Sequence, residues 1–224
     1  MIAPTTRLSW PDAYRIVSSP DAPIAALSNL VARPEDLEAL LEIEAMTNPV
    51  ARLAREGIAN VPREERVLGA GAALIMTPFV LPAVSRFSDG SYGVFYAGDE
   101  LRTAGEERAY HLTERLKESH ESEIVLRAEG YAYKVGIDCM LHDVRRSATP
   151  APPPEIYDLD SYDAAQRQGR LLRDEGSHGL LYESVRRPRF ECAGIFRPKC
   201  IGNPRPAGVV YFDWDGAKVT VVGA

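Results

Sequence analysis

Residues 85–97 read Ser-Arg-Phe-Ser-Asp-Gly-Ser-Tyr-Gly-Val-Phe-Tyr-Ala, an arginine on a small polar loop that runs straight into an apolar strand. Backbone amides on such a loop converge with a guanidinium on one anion, and the guanidinium fork fits phosphate. An acid-bearing helix is predicted directly afterwards, over about residues 100–119, with Asp99 as its cap. On it Glu107 and His111, four residues apart, share one face. An arginine held beside a helix carboxylate points to an enzyme that acts on a nucleotide.

Upstream of this block, Tyr14-Arg15-Ile16-Val17 reads as a short strand between Pro11 and Ser18-Ser19-Pro20. Pro34 suits the first position of a helix that reaches about Met46, with Leu37, Leu40 and Leu41 on one face. Thr47-Asn48-Pro49 ends that helix, and a second short one runs to about Glu56 before Gly57. Residues 20–80 therefore read as a mostly helical N-terminal insertion. Downstream, two extended runs rich in Tyr and Val are expected at about 123–129 and 131–144, divided by Gly130. The proline-rich segment 147–154 is a stiff loop. Ser161 caps a helix that reaches about Asp174 and is closed by Gly176. Strands follow at 179–182 and 190–196, then a hairpin around Asp215-Gly216.

This order lacks strict strand–helix alternation, so the fold class is α+β, one domain spanning 1–224 with a mixed, mostly antiparallel β core. Neither GxGxxG nor GxxxxGK[ST] occurs. With 224 residues, 45% hydrophobic and 26% charged, the composition is that of an ordinary globular domain. A net charge of −6 argues against a nucleic-acid surface, which needs a basic patch; the run Arg186-Arg187-Pro188-Arg189 reads as a solvated loop. Cys139, Cys192 and Cys200 form no CxxC pair, so no zinc site is expected and the compartment reads as reducing. No stretch approaches membrane-spanning length, and a cytoplasmic protein is the default expectation.

The candidate site residues are Arg15, Arg86, Glu107 and Ser184, each at the edge of a predicted element. An inward arginine on an apolar strand demands an anionic partner, which marks Arg15. Arg86 has the same demand, with Ser91 among the polar loop residues beside it. Glu106 and Glu107 point about 100° apart on a helix, so one alone faces a cleft. Glu107 shares its stripe with Tyr110, His111 and Glu114, and is chosen. Ser184 has no GxSxG elbow and reads as a ligand-binding hydroxyl rather than a nucleophile. Tyr92 and Tyr96 read first as core and second as platforms for a ring.

Tyr14-Arg15-Ile16, the 85–97 block, the run Thr103-Ala104-Gly105-Glu106-Glu107-Arg108-Ala109-Tyr110-His111 and the segment 179–186 together resemble the RES domain, a family named for its arginine, glutamate and serine. Here Arg15, Arg86, Glu107 with His111, and Ser184 stand at the family's positions. Ser85-Arg86-Phe87 stands where Gly-Arg-Trp is common. The resemblance spans about residues 10–200 and implies a fold like that of ADP-ribosyltransferase toxins. It further implies NAD+ as the substrate consumed, with Arg15, Arg86, Ser91, Tyr96, His111 and Ser184 around it, no metal, and a small Xre-like antitoxin as partner. The expected acceptor of ADP-ribose is a protein target, which makes the chain a mono-ADP-ribosyltransferase; transfer to inorganic phosphate or water is the alternative. A nuclease toxin and a non-catalytic nucleotide-binding module are the rival classes.

Overall fold

The computed structural model describes residues 3–18, 33–46, 49–119 and 126–223. Nine strands and five α-helices occur among them. Strand β1 (Thr5–Val17) is followed by helices α1 (Pro34–Glu44), α2 (Pro49–Ile58) and α3 (Ala72–Val80). A tight hairpin of β2 (Val84–Ser85) and β3 (Ser88–Asp89) leads to β4 (Phe95–Gly98) and helix α4 (Leu101–Glu118). Then come β5 (Leu126–Asp143), α5 (Asp163–Asp174), β6 (Gly179–Glu183), β7 (Glu191–Ile195), β8 (Ile201–Trp214) and β9 (Val219–Val222).

The main sheet runs β1-β4-β7-β6-β5-β8-β9, with an additional β1–β5 pairing that closes the first five strands into a ring. All pairings are antiparallel except β5–β6, where His142 and Asp143 lie beside Leu180 and Leu181. The fold is therefore α+β and mostly antiparallel. Closure hides the strand edges that an open sheet would leave unpaired.

Several elements differ from the sequence reading. Strand β1 begins at Thr5 and passes through Pro11, because a register shift between Trp10 and Ala13 absorbs a residue that cannot donate to the ladder. The runs on either side of Gly130 form one strand. A Cβ at Gly130 would lie 2.6 Å from side-chain atoms of both Ile16 and Phe212, so glycine serves close packing there rather than a break. Asp99 does not cap α4: Glu100 holds that place, while Asp99 accepts from the Thr103 hydroxyl at 2.7 Å and the Glu191 amide at 2.9 Å. The helix start is thereby tied to β7. Tyr162 rather than Ser161 precedes α5, and Gly176 after it has φ +79. Of the helical segment, Leu41 is buried, whereas Ile43, Met46 and Leu53 are exposed; Thr47, Asn48 and residues 20–32 lie outside the described residues.

Helix α4 turns Ala109 and Thr113 inward and lays Leu112 and Leu116 against Ile16, Phe212, Trp214 and Val219. The Thr113 hydroxyl accepts from the Val219 amide at 2.9 Å and donates to the Ala109 carbonyl at 2.8 Å. The opposite stripe of α4 is left free to line a cleft. No described helix is long and apolar enough to cross a membrane.

Candidate active site

That cleft, about 430 Å³, lies between α4, β1, β4 and the β2–β3 hairpin. Its volume is in the range of small-molecule sites. Arg15, Arg86, Tyr96, Glu107 and His111 all line it, as do Arg108, Arg115, Tyr162 and Tyr182.

Arg86 occupies the two-residue turn of the hairpin, where Ser85 pairs with Ser88. Helix α5 holds this hairpin in place. The Gln166 amide donates to the carbonyls of Ser85 and Ser88, at 3.0 and 3.2 Å. Gly169 allows the approach, since a Cβ there would meet the Phe87 carbonyl oxygen at 2.2 Å. One guanidinium nitrogen of buried Arg86 donates to the carbonyls of Ile156 and Asp158, at 3.2 and 2.9 Å, and the group lies 4.6 Å from the Tyr162 ring. Arg86 is thus both a cleft residue and a clamp on the segment before α5.

Arg15 donates one hydrogen bond to the Tyr96 carbonyl at 3.1 Å and stands 4.4 Å over the Phe95 ring. Its Nε is buried with no partner. Burial, reinforced by the like charge of Arg108, lowers the Arg15 pKa to about 10. A half-buried guanidinium with a buried, unused Nε donor is a site prepared for an anion.

Glu107 accepts a 2.6 Å hydrogen bond from the hydroxyl of fully buried Ser184. That hydroxyl in turn accepts from the amides of Arg187 at 2.9 Å and Arg186 at 3.3 Å. Ser184 therefore fixes the carboxylate from behind and does not itself line the cleft. Glu106 faces Arg102, 3.8 Å away, on the other side of the helix. His111 sits on the cleft rim. The protein packed around the inner side of its ring, with Arg108, Arg186 and Arg86, holds its pKa below the ordinary value against the pull of Glu107.

The tyrosines divide. Tyr96 lines the cleft, its hydroxyl shared between Ser85 Oγ at 2.9 Å and the Phe87 amide at 3.0 Å, and burial pushes its pKa well up. Tyr92 is a core residue, bonded to the Phe87 carbonyl at 2.5 Å and packed edge-on against Phe196. Ser91 does not reach the cleft: it bonds Asp89 and Arg170 on the exposed side of the hairpin, because the turn at Arg86-Phe87 reverses the chain before it. Sequence reasoning missed Arg108, Arg115, Tyr162 and Tyr182. Arg108, next to Glu107, points about 100° away from it on the helix, so no shared-face spacing marked it.

A small-molecule site with convergent arginines, an oriented carboxylate and aromatic walls, set in a closed mostly antiparallel sheet, is the class of protein that fold and site define. The family model described as the RES domain matches residues 63–215, and the chain belongs to that family. Arg15 precedes the matched residues; the pairing of β1 with β5, where Arg15 lies opposite Tyr133, and with β4 through Tyr14 and Gly98 brings it to the cleft. No curated protein sequence matches the chain. Among solved structures, the chain is similar to one in the crystal structure of the M. tuberculosis MbcT-MbcA toxin-antitoxin complex. The identity is 12%, the TM-score 0.46, with 95% of this chain and 88% of that one covered.

Proposed function

We propose that this chain is the toxin of a toxin–antitoxin pair, cleaving NAD+ at the nicotinamide–ribose bond and passing ADP-ribose to an acceptor. The observation that carries this reading is the Glu107 carboxylate, held at 2.6 Å by buried Ser184, in a cleft where Arg15 and Arg86 also converge. Breaking the glycosidic bond builds positive charge at the anomeric carbon, and a fixed carboxylate beside it stabilises that charge without reorganising. The bonding electrons leave with nicotinamide. Arg15, with its unused Nε, and Arg86 neutralise the pyrophosphate, so binding energy at the unreactive end positions the reacting end. Tyr96, Tyr162 and Tyr182 supply walls against which a flat ring packs.

A protein acceptor is favoured by the exposed apolar side chains Ile43 on α1, Met46 just after it and Leu53 on α2. The antitoxin, in this reading an Xre-like protein, acts by covering the cleft. The test is incubation with NAD+ labelled in its adenylate half, with lysate, inorganic phosphate or buffer offered as separate acceptors. Label on a discrete protein band supports the transferase. Label only in small products makes the enzyme a glycohydrolase or phosphorylase. Intact NAD+ in every tube overturns the proposal.

A further inference from the structure

Two thiols outside the cleft lie against each other. Strand β5 carries Cys139 two residues beyond Ile137, and Ile137 pairs with Ile201 on β8. Cys139 therefore shares the face of Ile137. Cys200 directly precedes Ile201 and closes the short 3-10 turn Pro198–Cys200, where its amide donates to the Arg197 carbonyl at 3.1 Å. The turn takes Cys200 out of strand alternation, and both cysteines pack on the core cluster that holds Leu8, Ile137 and Ile201. There the Cys139 thiol donates a hydrogen bond to the Cys200 sulfur, and both are free thiols. Among the described residues no group of three His, Cys, Asp or Glu side chains is placed to hold a metal ion, so the pair is a dithiol rather than half of a zinc site.

The two sulfurs are not equivalent. Cys200 lines an open surface groove with Trp10, Gly136, Gly202 and Arg205, whereas Cys139 does not reach it. The hydrogen bond from Cys139, aided by the charge of Arg197, holds the Cys200 pKa below its ordinary value against burial and Glu65. The same hydrogen bond, then burial and the charge of Asp138, push Cys139 up. The third cysteine, Cys192, is enclosed in the core, where burial raises its pKa and makes it inert. We infer that Cys139 and Cys200 are a redox-active pair, which a hydroperoxide oxidises to an intramolecular disulfide tying β5 to the start of β8. The Cys200 thiolate attacks one peroxide oxygen, the O–O bond breaks, and hydroxide leaves with its electron pair. The Cys139 sulfur then attacks the resulting sulfenic acid; the S–S bond forms and the hydroxyl departs as water with the Cys139 proton. The dithiol is oxidised by two electrons and the peroxide reduced to two waters. The position gives the bond an effect. Pairing between β5 and β8 is broken by a register shift between Lys134 and Gly136 and restarts at Gly136–Gly202 and Ile137–Ile201, so the disulfide locks the restarted end. Where thiols are kept reduced, such a bond is transient and reports oxidant. Neither residue lines the cleft, so the inference stands apart from the reaction proposed there.

The test treats the reduced full chain with hydrogen peroxide, alkylates it, and reads intact mass, peptide map and Tm, beside Cys139→Ser and Cys192→Ser. Wild type and Cys192→Ser are expected to lose the mass of two hydrogens and to yield one reducible crosslink between the peptides that hold Cys139 and Cys200. Cys139→Ser is expected to stop at a sulfenic acid on Cys200, trapped by dimedone. The crosslinked chain melts at least about 3 °C higher, and dithiothreitol reverses the rise. A sulfenic or sulfinic acid on wild-type Cys200 with no crosslink, a disulfide between two chains, or a crosslink through Cys192 overturns the inference. A crosslinked chain with an unchanged Tm overturns the lock. The wild-type map needs neither a variant nor NAD+ turnover, so its result and that of the proposed reaction are read separately.

Discussion

Replacing Ser184 by alanine removes one oxygen and strands three groups. Glu107 loses its 2.6 Å donor, and the amides of Arg187 and Arg186 lose their acceptor, all around a fully buried side chain. A hydrogen bond to a charged group contributes roughly 1.5–3 kcal/mol, and an orphaned buried amide costs about 1–3 kcal/mol. These terms overlap, because the chain relaxes and water reaches Glu107 from the cleft; a net loss of about 3 kcal/mol is expected. Set against a total stability of roughly 5–15 kcal/mol, that is a large fraction. For a chain of this length it corresponds to a fall in Tm of roughly 6–12 °C. Activity falls too, since a carboxylate released from its donor no longer holds one position. The assay is chemical denaturation of Ser184→Ala, Glu107→Ala and the double variant, closing a cycle. The expected coupling is about 1.5–3 kcal/mol, the strength of the single charged bond. A Tm within about 2 °C of wild type, with additivity inside about 0.5 kcal/mol, refutes the claim that Ser184 positions Glu107.

Arg86→Ala is expected to cost about 2–4 kcal/mol as well as substrate affinity, because the carbonyls of Ile156 and Asp158 lose a charged donor; thermal melts and KM measure the two effects separately. Gly169→Ala drives a methyl group toward the Phe87 carbonyl, 2.2 Å away, and is expected to destabilise by about 1–3 kcal/mol and to raise KM by displacing the Arg86 hairpin. In the network beneath β6 and β7, burial pushes Asp143 up, but the hydrogen bonds from Arg145 pull it further down, to a net pKa below the ordinary carboxylate value. A depressed carboxylate contributes stability above its unfolded pKa and loses it as pH falls through the folded one. Stability is therefore expected to drop below about pH 4, and Arg145→Gln to flatten that acid slope in denaturation series.

Periodicity carried the parts of this molecule whose environment is local. Helix α4 was legible through the four-residue spacing of Glu107 and His111, and helical geometry separates Glu107, bonded to Ser184, from Glu106, which faces Arg102. Strand β4 was legible as a short apolar run between Gly93 and Gly98, and β6 as one opening at Gly179. What sequence did not show was set by partners far along the chain. Gly130 looks like a divider until Ile16 and Phe212 are packed against it. Pro11 looks like a boundary until the register shift opposite β5 makes room for it. Ser91 and Arg86 sit five residues apart in one polar loop, and only the hairpin turn sends them to opposite sides. Tyr162 and Tyr182 reach the cleft through the packing of α5 and the pairing of β6 with β7, which no local pattern records.

The most direct test of the central claim is nicotinamide release from NAD+ by purified wild-type chain, Glu106→Gln and Glu107→Gln, with folding of each checked by circular dichroism. The account predicts release by wild type and Glu106→Gln, and a loss of at least about a hundredfold in a folded Glu107→Gln. Full release by Glu107→Gln, or loss confined to Glu106→Gln, contradicts it.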